Sequence, residues 1–253
     1  MLCCETMNPT LEKLLRENSP QFSEGNPADF QQSSVTVEEG EKLQQLIIEK
    51  RPKVSLEVGL GFGISSLFIC EAMEKVGGER HIVIDSERWD ESVGLRHLEA
   101  AGYGHLIDFR AQESETALPR LVAEGTRVDF AFIDGCHAFD HALIDFFYID
   151  KLLSVGGIVA FDDADQESVH GVCRFVATNR SYKVCATVGG SPDRRTIVKA
   201  ARWAARRFSP LRRLVHNRVS EPDEGLGFSW ASRLIAFEKT GEDKRRWDFH
   251  REF

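Results

Sequence analysis

Residues 56–66 read Leu-Glu-Val-Gly-Leu-Gly-Phe-Gly-Ile-Ser-Ser, and this stretch decides the predicted fold. An apolar strand runs into three glycines on alternate positions, Gly59, Gly61 and Gly63, and a helical pattern follows directly. Glycines between a strand and a helix let backbone N–H groups approach a ligand that side chains would exclude. The pattern therefore predicts a ligand-binding turn, although a glycine-rich turn without a function would have the same sequence.

The spacing of these glycines distinguishes between classes of nucleotide site. The dinucleotide-binding fingerprint has its third glycine one position later, where this chain has Ile64. This difference disfavours a nicotinamide-dependent oxidoreductase. Glu57 precedes the turn, and its carboxylate is expected either to lie near the ligand or to anchor the turn.

The composition excludes several classes of protein. The chain has 253 residues, 42% of them apolar, and a net charge of −8 from 32 basic and 40 acidic side chains. Binding to nucleic acid favours a basic protein, so no nucleic-acid partner is expected. No run of 18 apolar residues occurs, so no membrane span is expected either.

The cysteines indicate the compartment. The chain has six cysteines, and none of them forms a Cys-x-x-Cys pair. This scatter favours free thiols in a reducing compartment over a disulfide framework or a zinc site. Residues 1–10 lack the pattern of a secretory signal. We therefore expect the protein in the cytoplasm.

Strand and helix patterns alternate along most of the chain. Strands are predicted over residues 54–58, 81–85, 106–110, 128–133, 158–161, 182–188 and 232–238. Helices are predicted over residues 10–17, 37–50, 64–76, 90–101, 114–124, 138–153 and 167–179. Such alternation is typical of a doubly wound α/β fold, in which helices cover both faces of a parallel sheet. Ligands bind such sheets at the carboxyl ends of the strands.

Several polar residues fall at these strand ends. Asp85 ends the second strand, where a carboxylate can accept hydrogen bonds from both hydroxyls of a ribose. The alternative role of Asp85 is to cap the helix that follows. Glu113 and Ser114 follow the third strand and are expected to line the pocket for the base of the same nucleotide.

A second group of acids follows the fourth and fifth strands. The fourth strand leads into Asp134-Gly135-Cys136-His137, and the fifth leads into Asp162 and Asp163. Two carboxylates about 4 Å apart repel each other by roughly 4 kcal/mol at an effective dielectric constant of 20. A hard divalent cation such as Mg²⁺ would remove that repulsion. Alternatively, these acids cap helices or lie in solvent.

His137 is the candidate general base of this group. It follows Asp134 by three residues, and a neutral imidazole there could take a proton from a substrate hydroxyl. A lone histidine is more often structural, but the neighbouring acids favour a catalytic role. His141 lies one helical turn further on and is expected to be a solvated helix residue.

Two regions lie outside the alternating pattern. Residues 1–35 are interpreted as an N-terminal extension or lid, and residues 36–253 as the main domain. Residues 191–230 interrupt that domain with basic side chains among apolar ones. The simplest interpretation is an amphipathic helix pair that packs on the domain or on a second subunit, so a homodimer is possible. Recognition of an acidic substrate or a membrane surface is the alternative.

Taken together, these motifs resemble class I S-adenosylmethionine-dependent methyltransferases. The similarity is to the branch of metal-dependent small-molecule O-methyltransferases that carry an Asp-Gly-x-His signature, here residues 134–137. It covers residues 35–190 and 230–253. The resemblance implies a mostly parallel, seven-stranded Rossmann-like sheet with an antiparallel last strand.

The same resemblance implies roles for individual residues. S-adenosylmethionine would be held by Glu57, Gly59, Gly61, Gly63, Asp85, Glu113, Ser114 and Asp134. Mg²⁺ would be held by Asp134, Asp162 and Asp163, with His137 as the base. The acceptor would be a small molecule with a hydroxyl group. The remaining alternatives are a non-catalytic module that binds S-adenosylmethionine and a metal-independent N- or C-methyltransferase.

The chain also departs from the family pattern. Gln112 stands where relatives often have glycine, and Cys136 fills the variable position of the signature. The basic stretch 191–230 is unusual for the family. The identity of the acceptor therefore does not follow from the resemblance.

Overall fold

A computed structural model of the chain describes most of the predicted domain. The described residues are 7–17, 34–86, 92–189, 223, 225–249 and 251–253. Most of the predicted N-terminal extension, residues 1–35, and most of the basic stretch, residues 191–230, lie outside the described residues. The predictions about those two regions therefore stay predictions.

The described helices and strands follow the predicted order. The helices are α1 (Pro9–Glu17), α2 (Val37–Lys50), α3 (Ile64–Val76), α4 (Ser92–Ala100), α5 (Ser114–Ala123), α6 (Phe139–Leu152) and α7 (Glu167–Asn179), with a 3₁₀ turn at Gly104–Leu106. The strands are β1 (Val54–Val58), β2 (Arg80–Asp85), β3 (Ile107–Ala111), β4 (Val128–Ile133), β5 (Leu153–Phe161), β6 (Tyr182–Val188) and β7 (Leu234–Lys239). Within the described ranges, no helix has the length and apolarity needed to cross a membrane.

All seven strands form one sheet in the order β3-β2-β1-β4-β5-β7-β6. The pairs from β3 to β5 are parallel, and β7 runs antiparallel to both β5 and β6. This arrangement confirms the predicted doubly wound sheet with an antiparallel last strand. The strand order reverses between β1 and β4, which is the position where open α/β sheets form their ligand crevice.

The start of β5 was predicted wrongly. The sequence suggested a helix to residue 153, a break at Gly156-Gly157 and a strand from residue 158, but β5 begins at Leu153. The pairing of β4 with β5 shifts register between Val128 and Phe130. Such an irregularity accommodates glycines within a strand, which a sequence pattern cannot distinguish from a loop. The other bounds agree with prediction within two residues.

Alternate residues of the central strands fill two separate cores. Phe130 and Phe132 of β4 pack with α1 to α4 on one face of the sheet. Their neighbours Ala131 and Ile133 pack with α5 to α7 on the other face. This alternation follows from the two-residue period of a strand, and burial of both faces explains the nearly continuous apolar sequence of β4.

A buried lysine joins the end of β7 to the α6–β5 junction. Lys239 is buried, and its ammonium donates hydrogen bonds to the carbonyl oxygens of Asp150 (2.7 Å) and Leu153 (3.0 Å). The Asp150 carboxylate lies 3.7 Å from the same nitrogen and accepts a hydrogen bond of 2.6 Å from the Tyr182 hydroxyl. The positive charge therefore lies at the C-terminal end of α6, where the helix dipole favours a cation.

We expect Lys239→Met to destabilise the fold by about 2–5 kcal/mol, because two buried carbonyl groups lose their donor. The Asp150 carboxylate keeps its contacts with Arg180 and Tyr182. Chemical denaturation with a fluorescence readout measures this change. The matched control is Lys183→Met on β6, since Lys183 is exposed and pairs with Glu238 at 3.0 Å. An exposed pair contributes about 0–1 kcal/mol. Equal losses in the two variants would contradict the assigned role of Lys239.

Candidate functional site

A cavity of about 500 Å³ opens over the carboxyl ends of the central strands. Most of the predicted site residues line it. They are Gly59, Gly61, Gly63, Asp85, Glu113, Ser114, Asp134, His137, Asp162 and Asp163. Glu57 is the predicted residue that does not line the cavity, and Ser34, Gln166 and Arg233 line it without having been predicted. The order of the strands in the sheet thus brings residues that are distant in sequence to one cavity.

Gly59 allows the backbones of β1 and β4 to approach each other at the floor of this cavity. Its φ of 95° lies in the left-handed region, and a Cβ atom there would be 2.1 Å from the carbonyl oxygen of Asp134. The Gly59 N–H donates to Ile84 O at 2.8 Å, and the Asp134 N–H donates to Val58 O at 2.9 Å. A side chain at position 59 would therefore separate the strand ends that form the site.

Asp85 shapes the glycine turn and also faces the cavity. Its Oδ2 atom accepts hydrogen bonds from the backbone N–H groups of Leu60 (2.6 Å) and Gly61 (3.2 Å). Within the described part of the chain, Oδ1 of Asp85 has no hydrogen bond. The carboxylate can therefore hold the turn with one oxygen and accept a ligand hydroxyl with the other.

Glu57 lies beneath the turn and is fully buried. Its carboxylate accepts hydrogen bonds from the hydroxyls of Ser65 and Ser66 in the first turn of α3, and it lies 3.0 Å from His81 Nε2. His81 Nδ1 is in turn 2.8 Å from the Ser55 hydroxyl. These contacts anchor the turn to α3. The predicted contact between Glu57 and a cofactor stays a prediction.

Asp134 and Asp162 form a carboxyl pair at the ends of β4 and β5. The two groups are in hydrogen-bond contact, and burial is the largest cause that raises the pKa of each well above its usual value. The negative charge of Glu57 raises the pKa of Asp134 further, and that of Asp134 does the same for Asp162. Among the described residues, Oδ1 of Asp162 has no hydrogen-bond partner. A proton or a cation bound to this pair would offset the cost of holding two acids together.

Asp163 makes different contacts from its neighbour Asp162. It adopts a left-handed φ of 47°. Its Oδ2 atom accepts a hydrogen bond of 2.8 Å from Gln166 Nε2 and lies 3.3 Å from His137 Nδ1. Its Oδ1 atom lies 3.5 Å from Arg233 Nη2. Both carboxylate oxygens therefore already face nitrogen donors.

The three acids do not converge on one point in this arrangement. No group of three or more histidine, cysteine, aspartate or glutamate side chains among the described residues is placed to hold a metal ion. The predicted site of Asp134, Asp162 and Asp163 stays a prediction, and only the first two carboxyl groups lie together. The chemistry of that pair still fits a hard cation, because Mg²⁺ is often bound by one or two carboxylates and completed by water.

His137 lies between the carboxylates of Asp134 and Asp163. Its Nε2 atom is 3.5 Å from Asp134 Oδ1 and, within the described residues, has no hydrogen bond although it is buried. Its carbonyl oxygen accepts a hydrogen bond from the Ser168 hydroxyl at the start of α7. The imidazole is 30% exposed, which leaves it accessible from the cavity.

Arg233, the residue before β7, lines the cavity and contacts the start of α2. Thr36 and Glu39 form a capping box at the start of α2, and the Arg233 guanidinium lies 3.3 Å from Glu39 Oε1. The capping box can be recognised in the sequence as the motif Thr-x-x-Glu. Gln166 and Arg233 carry no comparable signal, because their role depends on contacts between distant elements.

Two residues noted as departures also lie on the cavity. Gln112 accepts a hydrogen bond of 3.1 Å from Arg120 through its side-chain oxygen, and Cys136 is an exposed free thiol. His141 lines the cavity as well and is only partly exposed, so it is less solvated than expected.

Asp145 is a further acid that sequence reasoning missed. It lies on α6 and is 1% exposed, and its Oδ1 atom has no partner among the described residues. Burial raises the pKa of its carboxyl from 3.8 to about 6, and a hydrogen bond with Ser114 opposes part of this shift. Its position in an amphipathic helix gave no signal that a carboxylate would be enclosed there.

Comparison with known proteins finds similarity to methyltransferases over the central part of the chain. A family model described as a methyltransferase domain matches residues 56–164. Tapetum-specific methyltransferase 1 of Arabidopsis thaliana is 31% identical over 138 residues, which are 53% of this chain and 57% of that protein. Caffeoyl-CoA O-methyltransferase of Populus kitakamiensis is 31% identical over 134 residues, 51% of this chain and 54% of that protein. The chain thus spans about half the length of these curated relatives.

Solved structures share the fold over nearly the whole chain. The O-methyltransferase from Bacillus cereus in complex with SAH has a TM-score of 0.62 at 17% identity and covers 94% of each chain. The O-methyltransferase TomG from Streptomyces achromogenes, involved in tomaymycin synthesis and in complex with SAM, has a TM-score of 0.63 at 18% identity. It covers 94% of this chain and 93% of that one. At these identities the likeness establishes the fold alone.

The raised pKa of Asp145 has a predictable effect on stability. A carboxyl with a folded-state pKa of about 6 and an ordinary value of 3.8 binds its proton more tightly in the fold. The protonated Asp145 carboxyl therefore adds to the free energy of unfolding. This contribution is fully present below the ordinary pKa of 3.8 and is lost as the pH rises through the folded-state pKa of about 6. Asp145→Asn avoids this loss, so its stability relative to the parent should increase with pH, by about 3 kcal/mol in total.

Denaturant unfolding at about pH 5 and about pH 7.5 measures roughly half of this difference, about 1.4 kcal/mol, because the rest of the change falls below pH 5. The matched control is Asp140→Asn, an exposed position on the same helix. A stability difference between Asp145→Asn and the parent that does not change with pH would contradict the raised pKa.

Proposed function

We propose that this chain, whose residues 56–164 match a family model described as a methyltransferase domain, is an S-adenosylmethionine-dependent O-methyltransferase that acts on a small-molecule hydroxyl. One observation carries the proposal: the glycine turn, Asp85, Asp134 and His137 all line one cavity at the point where the strand order reverses. The names of curated relatives and the fold shared with solved O-methyltransferases support the same activity.

The nucleotide side of the cavity fits S-adenosylmethionine. Asp85 has one carboxylate oxygen available for the ribose hydroxyls, and Glu113 and Ser114 line the side proposed for adenine. Apart from its chain neighbours, no atom of the described residues lies within 4 Å of the position that a Cβ would occupy at Gly61, so a ligand can approach that backbone closely. When bound, the sulfonium of the cofactor activates its methyl group toward an oxygen nucleophile.

The residues beside His137 would prepare that nucleophile. Holding the acceptor oxygen in line with the methyl group can be worth about 7–11 kcal/mol of the barrier. His137 lines the cavity, and its buried Nε2 atom has no hydrogen bond from the described residues, which supports this atom as the acceptor of the hydroxyl proton. A general base of this kind contributes typically about 10²–10⁴ in rate.

A divalent cation is part of the proposal, with Asp134 and Asp162 as its protein ligands. The raised pKa of both carboxyl groups and the Asp162 oxygen without a hydrogen bond support it. When bound, such an ion lowers the pKa of an acceptor hydroxyl. The alternative is metal-independent transfer, which the lack of a three-residue ligand group among the described residues favours.

The remaining expectations complete the proposal. The methyltransferase domain would extend over residues 36–253, with residues 1–35 as an extension or lid and residues 191–230 as an inserted basic segment. The net charge of −8 supports a small-molecule partner over nucleic acid. A cytoplasmic location and a homodimer remain proposals as well.

Variants of Asp85 and His137 should separate cofactor binding from turnover. His137→Ala should lower kcat by about 10²–10⁴ while the affinity for S-adenosylmethionine changes less than about twofold, because the base contacts the acceptor. Asp85→Ala should weaken cofactor binding by about tenfold or more, because it removes a charged acceptor. Calorimetric titration and a methyl-transfer assay on a panel of phenols and sugars measure both.

Asp140→Ala on the exposed side of α6 is the control for these variants. An unchanged cofactor affinity in Asp85→Ala would refute the ribose assignment. Thermal unfolding of each variant checks that the Leu60 and Gly61 contacts of Asp85 are not needed for folding itself.

Removal of divalent ions should lower methyl transfer by at least about tenfold, because the Asp134–Asp162 pair would then hold protons instead of a cation. Dialysis against a chelator followed by addition of Mg²⁺ or Mn²⁺ measures the loss and the recovery. Binding of S-adenosylhomocysteine is the control and should persist without the ion. Full activity in excess chelator would indicate the metal-independent alternative.

A further inference from the structure

We propose that helix α4 supports the glycine turn of the cofactor site from behind, with Gly94 and His97 as its positioning residues. This inference rests on the proposed function, in which the turn over residues 59–63 binds S-adenosylmethionine. Gly94 and His97 do not line the cavity, and they lie outside the motifs that carry the family resemblance. The evidence is a close approach between α4 and the turn, together with the hydrogen bonds that orient the peptide groups of the turn.

The first observation is that α4 and the turn meet through glycines on both sides. A Cβ atom at Gly94 would lie 2.8 Å from the carbonyl oxygen of Gly61 and 2.7 Å from Leu60 Cγ. A Cβ atom at Gly63 would lie 3.1 Å from both the Cα atom and the carbonyl oxygen of Gly94. A separation of 2.8 Å from a backbone oxygen is shorter than van der Waals contact, so a side chain at position 94 would displace the turn or the helix.

The second observation is a hydrogen bond from α4 to the turn. His97 is fully buried, and its Nδ1 atom lies 2.8 Å from the carbonyl oxygen of Phe62. A carbonyl oxygen can only accept a hydrogen bond, so the ring nitrogen is the donor. The N–H of the same peptide group belongs to Gly63 and donates to Leu60 O at 2.7 Å. Because a peptide group is planar, these two hydrogen bonds fix its orientation from opposite ends.

The other hydrogen bonds of the turn come from different elements. Asp85 at the end of β2 accepts from the N–H groups of Leu60 and Gly61. The carbonyl oxygen of Gly63 accepts from the N–H of Leu67 in α3 at 2.9 Å. β2 therefore holds the start of the turn, α4 its middle and α3 its end. A turn that is ordered in this way before the ligand arrives loses less conformational freedom on binding.

Helix α4 is itself fixed by the core of the domain. Its residues Val93 and Leu98 are buried in the same hydrophobic cluster as Leu60 and Phe62 of the turn. A displacement of α4 is therefore transmitted to the backbone of the turn. A misplacement of about 1 Å in a binding geometry can cost about 10²-fold. We therefore assign α4 a role in the affinity for the cofactor and not in the transfer of the methyl group.

Gly94→Ala tests the close approach. We expect the affinity for S-adenosylhomocysteine to fall by about tenfold to a hundredfold, because the added methyl group displaces the Gly61 peptide. The KM for S-adenosylmethionine should rise by a similar factor, whereas kcat at saturating cofactor should change by less than about threefold. Calorimetric titration and methyl-transfer kinetics measure these values. The matched control is Gly104→Ala, because a Cβ atom there would meet only Glu99 Cγ, at 3.6 Å, among the described residues beyond its chain neighbours.

His97→Leu and His97→Asn test the hydrogen bond as a matched pair. The two new side chains are similar in size, and only asparagine can donate to the Phe62 carbonyl. We expect His97→Leu to weaken binding of S-adenosylhomocysteine by about tenfold and His97→Asn to recover at least about threefold of that loss. This pair also tests the proposal if Gly94→Ala does not fold.

Amide hydrogen exchange reports on the turn in the absence of any ligand. The Gly61 and Gly63 amides should exchange at least about tenfold faster in Gly94→Ala and His97→Leu than in the parent, while the amides of the central strands keep their rates. Faster exchange throughout the central strands would show a general loss of stability and would contradict a specific support of the turn.

Unchanged cofactor affinity in both Gly94→Ala and His97→Leu would overturn the proposal. A loss in Gly104→Ala equal to that in Gly94→Ala, or equal losses in the two His97 variants, would also count against it. Failure of the parent protein to bind S-adenosylhomocysteine would contradict the proposed function instead. Exchange of the Gly61 and Gly63 amides would then decide alone whether α4 supports the turn.

Discussion

The site depends on one close approach between two backbones. At Gly59 the chain passes so near to Asp134 that a Cβ atom would lie 2.1 Å from a carbonyl oxygen. The hydrogen bonds from Gly59 to Ile84 and from Asp134 to Val58 tie the ends of β1, β2 and β4 together at this point. The cavity opens where these ends meet. The position of the cavity therefore depends on the absence of a side chain at Gly59, which allows the close approach to Asp134.

Two kinds of buried acid surround this point. Glu57 is satisfied by two serine hydroxyls and His81, and it holds the glycine turn to α3. Asp134 and Asp162 have raised pKa values because burial and the negative charges of neighbouring acids disfavour their charged forms. Burying a charge without a partner is costly, so the second kind is stable only if a proton or a ligand supplies what the protein does not. Glu57 therefore holds the glycine turn in place, whereas Asp134 and Asp162 are the acids that can bind a proton or a cation.

The sequence predicted the features that are local. The glycine turn, the strand ends and Asp85 follow from short patterns, and the structure places them together because parallel strands end on one edge. The contacts of Asp163 were not predictable, because Gln166 and Arg233 reach it from other elements. Arg233 in particular precedes β7, and its position depends on β7 lying between β5 and β6. The early start of β5 at Leu153 was missed because glycines within a strand resemble a loop.

The strand order also limits the order in which the strands can pair during synthesis. Among the strands that the structure describes, β6 pairs with β7 and with no other, although β7 follows it by more than forty residues. The five strands from β3 to β5 can assemble as soon as residue 161 has left the ribosome. β6 cannot pair until β7 has been synthesised, and closing so long a loop is slow. Both the exposed edge of β5 and the whole of β6 are thus open to chaperones, or to mispairing, until β7 has been synthesised.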